Sequence, residues 1–231
     1  MKKIVICWIA FLVSFSNLSF FSWKGTNWMD ESLLSLKQYR RLMIVAHPDD
    51  ETIWGGEHLL RDSYVVVCLT NGDHEIRRNE FMQVMKASGN YGIILNYPDK
   101  RNGRRDDWSD CRQQILKQLK MIIDSNQWEI VVTHNPEGEY GHIHHKMTNQ
   151  MVTSLMVQSN QLENLFYFDR YKKKNELSKK EKRMEEKWFL KKQELCQLYG
   201  SQAKVIERLS HQFPYENWVS AVLWKNKENG S

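Results

Sequence analysis

Two short stretches hold most of this chain's chemistry-bearing side chains. The first, Ala46-His47-Pro48-Asp49-Asp50-Glu51, follows the apolar run Leu42-Met43-Ile44-Val45. The second, Gly138-Glu139-Tyr140-Gly141-His142-Ile143-His144-His145, comes soon after Ile130-Val131-Val132-Thr133. Imidazole and carboxylate suit a borderline divalent ion such as zinc. In the first stretch two side chains can face one ion while another carboxylate stays free to accept a proton. In the second, His142 and His145 stand three apart and share a face if a helix begins there, so His145 could ligate while His142 faces a substrate. The competing readings are ordinary structure: Asp50 as the cap of a helix from Glu51, His47 as a loop residue, and His144 as a solvated side chain or a group behind the ligands.

These groups need a scaffold. Short apolar runs predict strands over Leu42–Ala46, Tyr64–Thr70, Gly92–Tyr97, Glu129–Thr133 and Leu165–Phe168. Helices are expected between them, over Glu51–Arg61, Ile76–Ala87 and His145–Val157. A further helix, capped by Ser109 or Asp110, is expected from the helical spacing of Ile115, Leu116, Leu119, Ile122 and Ile123. This alternation predicts an α/β fold, a Rossmann-like, mostly parallel sheet flanked by helices. Ligands of such sheets bind beyond the carboxyl ends of the strands, at a switch point. The polar clusters beginning at His47, Asn71, Pro98 and His134 all fall at predicted strand ends.

With these residues on the page, the chain resembles the PIG-L/LmbE family of zinc-dependent de-N-acetylases. The Ala46–Glu51 and Gly141–His145 segments carry the resemblance. Thr70-Asn71-Gly72-Asp73, Arg77 with Glu80, Tyr97-Pro98-Asp99 and Asn135-Pro136 add to it, over residues 41–169. Leu198-Tyr199-Gly200-Ser201-Gln202 looks like the family's tail but is less specific. The resemblance implies one Zn2+ (or similar divalent ion) on His47, Asp50 and His145, with Asp49 as general base. It implies that His142, if protonated, stabilises the oxyanion, and that Arg77 and Asp99 lie near the substrate. Tyr140 and Trp108 are aromatic candidates for stacking on a sugar, although packing is the better account of Trp108. The implied reaction removes the acetyl group from an N-acetylglucosamine-type moiety of a glycan or glycolipid, releasing acetate and a free amino sugar. Two alternatives stay open: the same hydrolysis on a soluble cytoplasmic amino-sugar conjugate, and a catalytically silent glycan-binding protein. The intact Asp49 and His142 favour an enzyme.

The bulk numbers fit one catalytic domain: 231 residues, 41% apolar and 26% charged. The net charge of +5 is local, because Tyr171 to Lys192 hold ten Lys/Arg against four Glu. That stretch reads as a solvated basic helix or lobe (171–192), with contact to an anionic surface as the functional alternative; no nucleic-acid partner is expected. Cys7, Cys68, Cys111 and Cys196 show no C-x-x-C spacing, so they suggest neither a thiolate metal site nor a disulfide framework. Met1-Lys2-Lys3 precedes a stretch without charge up to Lys24. That pattern predicts an apolar signal-anchor helix or signal peptide over 1–22 and a linker over 23–40, ahead of a catalytic domain over 41–231. The expected location is membrane-anchored with the catalytic domain extracytoplasmic, or secreted if the segment is cleaved.

Overall fold

The structure, a computed structural model, describes residues 35–177 and 181–224. The expected signal segment and residues 23–34 of the expected linker lie outside the described residues. Among the described residues, no helix is long and apolar enough to cross a membrane. Leu36, assigned to the linker from sequence, is fully buried in the core.

Six strands form one sheet in the order β3-β2-β1-β6-β7-β8. They are β1 (Arg41–Val45), β2 (Tyr64–Thr70), β3 (Tyr91–Tyr97), β6 (Ile130–Thr133), β7 (Leu165–Phe168) and β8 (Trp218–Ser220). All neighbours run parallel except β7 and β8. β1 from Leu42 and β2 up to Leu69 are apolar without interruption because both sheet faces are covered. Leu42 and Ile44 pack on one side with helices α3 (Arg112–Asp124) and α4 (Ile143–Gln158). Met43 and Val45 pack on the other with α1 (Asp50–Arg61), α2 (Glu75–Ser88) and α5 (Glu186–Gln197). A short helix, α6 (Ala203–Leu209), follows α5.

The topology places the site. β2 and β3 lie on one side of β1, whereas β6 and β7 lie on the other. The sheet therefore changes its direction of growth between β1 and β6, and the loops leaving those two strands part around a crevice. Register brings Ile44 opposite Thr133, so the loops that begin at Ala46 and His134 emerge side by side.

Two local expectations are corrected, and two elements are added to them. The Pro98–Asp107 loop contains a small antiparallel hairpin, β4 (Lys100–Arg101) with β5 (Arg104–Arg105). Cys111, not Ser109 or Asp110, stands at the N-cap of α3, with no side-chain cap bond. β8, an antiparallel edge strand, arises within the aromatic C-terminal stretch. Among its described residues, the basic segment 171–192 is helical only from Glu186 onward.

Nor is that segment wholly solvated. Lys192 is fully buried; its ammonium donates to the Ile53 carbonyl (2.8 Å) and to Glu216 Oε2 (2.7 Å). Glu216 in turn accepts the backbone N–H groups of Glu57 (2.9 Å) and His58 (3.0 Å). A regular helix pairs the Ile53 carbonyl with the Glu57 N–H, and here an ion pair from the C-terminal region also grips both groups. Gly56 leaves the room: a Cβ there would lie 2.9 Å from Lys192 Cγ. Burial alone would raise the Glu216 pKa, but Lys192 and His58 hold it down at about 2.

Replacing Lys192 by Met strands a buried carboxylate and is expected to cost about 3–5 kcal/mol, read from urea unfolding. The Glu216 carboxyl falls from an ordinary 4.5 to about 2 on folding, so its contribution is complete above 4.5 and is lost as pH drops towards 2. The variant should lose less stability across that window than the wild type. Equal stability of the two proteins at neutral pH would rule out this role for the pair.

Candidate metal centre and active site

The chain leaves β1 through Ala46 and turns at Pro48 into α1. Asp49 occupies the turn at φ 128°, ψ −31°, a conformation that L residues rarely adopt. Strain of this kind persists only where the surroundings impose it. Asp50 does not cap α1. Its Oδ2 instead accepts the His47 backbone N–H (2.8 Å) and lies 3.1 Å from His47 Nδ1. His145, in the first turn of α4, places Nε2 3.3 Å from Asp50 Oδ1. That nitrogen is buried and makes no hydrogen bond. His47, His142 and His145 offer nitrogens within 4.8 Å of one another. His47, Asp50 and His145 are therefore mutual neighbours on two adjoining strand ends, all under 10% exposed.

This set fits a divalent cation. Two imidazoles and a carboxylate are borderline-metal donors, and the buried His145 Nε2, which has no hydrogen bond, is a donor atom turned towards the Asp50 carboxylate. Electrostatics agree. Burial opposes the charge on Asp50, yet His145 and His47 drive its pKa well below the usual carboxylate range. Burial opposes a charged His145, yet Asp50 and Glu139 raise it to about 10. The same arrangement places His134 near Asp50 and His145 as an alternative donor. Its Nε2 already accepts the Ala46 N–H (3.0 Å), however, and its Nδ1 faces Glu139 Oε2 (3.1 Å), so it acts as a strut.

Glu139 and His134 were not singled out from sequence. Glu139 is buried at φ 52° between Gly138 and Gly141 and hydrogen-bonds His145 Nδ1, fixing which nitrogen of that ring faces Asp50. Asn135 steadies it by accepting the N–H groups of Glu137 (2.9 Å) and Glu139 (3.1 Å). Burial raises the Glu139 carboxyl, but His134 and His145 bring it to about 2. The available signal was a carboxylate inside a glycine-bracketed loop six residues ahead of a candidate ligand.

The remaining candidates fall around this centre. Asp49 is 5% exposed, with Arg77 3.6 Å from its Oδ1; Arg77 also donates to the Pro48 carbonyl. Burial, with Asp50 beside it, pushes the Asp49 carboxyl up to about 8, against the pull of Arg77. Asp99 Oδ1 lies 3.3 Å from His47 Nε2 and pairs with Arg105. Tyr140 is 40% exposed, its ring 5.6 Å from that of His145 and 6.4 Å from that of Trp54. Two open readings are decided between their alternatives. His144 is not solvated; it is fully buried, stacked on Trp108 at 4.3 Å, and donates from Nε2 to the Asp106 carbonyl (2.7 Å). Trp108 is likewise buried, which leaves it no face for a sugar. His142 is neutral: burial, then His145 and His47, lower its pKa to about 2. Its Nδ1 accepts the His144 N–H (3.2 Å), so the proton sits on Nε2 and the ring donates without being charged.

Comparison with known proteins places this geometry among relatives. The family profile described as PIG-L: GlcNAc-PI de-N-acetylase matches residues 42–156. An uncharacterised protein of Acanthamoeba polyphaga mimivirus is 32% identical over 50% of this chain and 58% of its own. The 1D-myo-inositol 2-acetamido-2-deoxy-alpha-D-glucopyranoside deacetylase of Saccharomonospora viridis is 26% identical over 54% of this chain and 61% of its own. The N-acetylglucosaminyl-phosphatidylinositol de-N-acetylase of Bos taurus is 28% identical over 59% and 58% respectively. The chain thus spans about three fifths of the length of these relatives. Among solved structures, a deacetylase of an antimicrobial pseudoaglycone superposes with a TM-score of 0.57 at 14% identity, covering 75% of this chain and 86% of that one. The 4-carboxy-2-hydroxymuconate hydratase of Pseudomonas putida superposes with a TM-score of 0.53 at 15% identity, covering 74% and 83%. At such identities these likenesses establish the fold alone.

Glu139→Gln should keep the fold and weaken zinc binding about 10- to 100-fold, because His145 loses the carboxylate that orients it. Competition against a chromophoric chelator measures this. Unchanged affinity would exclude Glu139 from the metal centre.

Proposed function

Because the chain belongs to the PIG-L/LmbE family of de-N-acetylases, we propose that it is a metal-dependent hydrolase. It removes the acetyl group from an N-acetylglucosamine-type moiety of a glycan or glycolipid and releases acetate and a free amino sugar. One observation carries this reading. A buried carboxylate, Asp49, stands next to the donor set His47, Asp50 and His145 and is not needed as a ligand. A site built only to bind has no use for a spare base beside its metal. The named activities of the relatives support the amino-sugar class, whereas the fold does not, since the hydratase shares it.

His47, Asp50 and His145 would hold zinc or a similar divalent ion, which would supply Lewis acidity and make a water easier to deprotonate at neutral pH. The protein's own groups do the rest. Asp49 takes the proton from the attacking water and returns it to the departing amine; burial raises its affinity for that proton, and Arg77 beside it favours the carboxylate. Arg77 holds Asp49 in place through the Pro48 carbonyl and the carboxylate itself. His142 donates from Nε2 to the developing oxyanion as a neutral imidazole. Tyr140 presents the exposed aromatic face beside the centre and is the better candidate for contact with a sugar ring. The two inositol-linked substrates named for the relatives differ in whether a lipid follows the inositol, so a soluble acceptor remains the second reading. We place the enzyme at a membrane, with its catalytic domain outside the cytoplasm, on the strength of the charge-free stretch between Lys3 and Lys24.

Acetate release from a panel of N-acetylglucosamine glycans and glycolipids tests the reaction. Release should stop with chelator and return with zinc. Asp49→Asn should keep the metal and lose at least about 100-fold in kcat. Zinc binding with no release from any member of the panel, together with tight glycan binding, would turn the reading towards a silent binding protein. A reporter fused after Ser231 tests location separately: a signal from the cytoplasmic side would exclude the extracytoplasmic placement.

A further inference from the structure

The residues that hold Asp49 in its strained backbone lie partly outside the motif. The Asp49 N–H donates to Glu51 Oε2 (3.1 Å). Glu51 is fully buried, and its other oxygen accepts Thr52 Oγ1 (2.6 Å) and the Tyr199 hydroxyl (2.5 Å). Tyr199 is 1% exposed and stands 148 residues further along the chain, beyond the segment that matches the family. Two residues later Ser201 grips Glu80 of α2 through its N–H (2.7 Å) and its hydroxyl (2.5 Å). Arg77, one turn earlier on that helix, contacts the Pro48 carbonyl and Asp49 Oδ1. One C-terminal turn thus bears on Asp49 from two sides: through Glu51 on its N–H, and through α2 on its carboxylate.

We propose that Tyr199 is a positioning residue for the reaction: its hydroxyl fixes the Glu51 carboxylate, which fixes the Asp49 backbone and so the direction of the general base. The catalytic part of this inference rests on the de-N-acetylase reading; the structural part does not. A Glu carboxylate offers about four acceptor sites, and three of them are taken here by the Asp49 N–H, Thr52 and Tyr199. Without the Tyr199 hydroxyl, Glu51 can turn towards Thr52, and the N–H of a residue at φ 128° loses its partner among the described residues. A base displaced by a fraction of an ångström loses catalysis while the binding of substrate and metal persists.

The test uses the isotopically labelled full chain with zinc, comparing Tyr199→Phe with Tyr167→Phe. The control removes another buried hydroxyl contact, the one to Thr153 (2.8 Å), on the opposite face of the sheet. The expected result is an Asp49 amide proton resonance that moves upfield in Tyr199→Phe and stays fixed in the control, with zinc affinity unchanged. With the N-acetylglucosamine disaccharide as probe, kcat should fall about 10- to 100-fold while KM stays within about twofold. Glu51→Gln should move the same amide, and adding Tyr199→Phe to it should move it no further. An Asp49 resonance unmoved in Tyr199→Phe overturns the proposal. So does a loss of kcat matched by the control. If the wild type releases no acetate, the enzymatic reading fails while the amide still decides the positioning role.

Discussion

Charge must be paired where water is excluded, and this requirement organises the molecule. Four histidines (His47, His134, His144, His145) and four carboxylates (Asp49, Asp50, Glu51, Glu139) are each under 10% exposed at one edge of the sheet. An isolated buried charge costs several kcal/mol, so such a cluster is tolerable only when every member has a partner. Glu139 holds His145 and His134, His134 holds the end of β1, and Asp50 lies between His47 and His145. Of the nitrogens on these four buried histidines, His145 Nε2 alone has no hydrogen bond among the described residues, and it belongs to the set that would hold the ion. A cation would relieve the remaining imbalance, which is the physical sense in which this edge is built for one.

The same constraint accounts for the strain. Asp49 and Glu139 are both non-glycine residues at positive φ, and both are buried carboxylates at the centre. A relaxed turn after β1 would carry Asp49 away from Arg77, and a relaxed loop before α4 would take Glu139 away from His145. The strained backbones persist because Glu51 holds the first and Asn135 the second.

Sequence made the scaffold and the donor set legible because both are local patterns. Continuous apolar runs bounded by turns mark β1, β2, β3, β6 and β7 wherever both faces of a strand are covered. The two His- and carboxylate-rich stretches stand next to strand ends. Contacts across long separations left no such trace. β8 is three residues long, sits at the sheet edge and pairs antiparallel with β7, so neither length nor apolar run marks it. Lys192 reads as one more lysine in a basic stretch, yet Glu216, 24 residues away, draws it into the core. His144 reads as a loop histidine until Trp108 covers it. Glu51 belongs to the motif by position, but its task became visible only when Tyr199 was seen beside it.

These long-range contacts divide the work between two parts of the chain. Residues 42–156, the part that matches the family, supply every proposed metal donor, the proposed base and the oxyanion donor. The part beyond supplies none of these, yet it furnishes Tyr199 to Glu51, Ser201 to Glu80, and Lys192 and Glu216 to the middle of α1. α1 begins at Asp50 and carries Glu51 in its first turn, so it is gripped at both its start and its middle by the C-terminal region. The first part could bring the right atoms into one crevice by topology alone. Holding a base within a fraction of an ångström of a productive position takes more, because α1 would otherwise rest mainly on its apolar face, and apolar packing is not directional. Hydrogen bonds and ion pairs are directional, and the C-terminal region delivers them to the helix whose first turn carries Asp50 and Glu51.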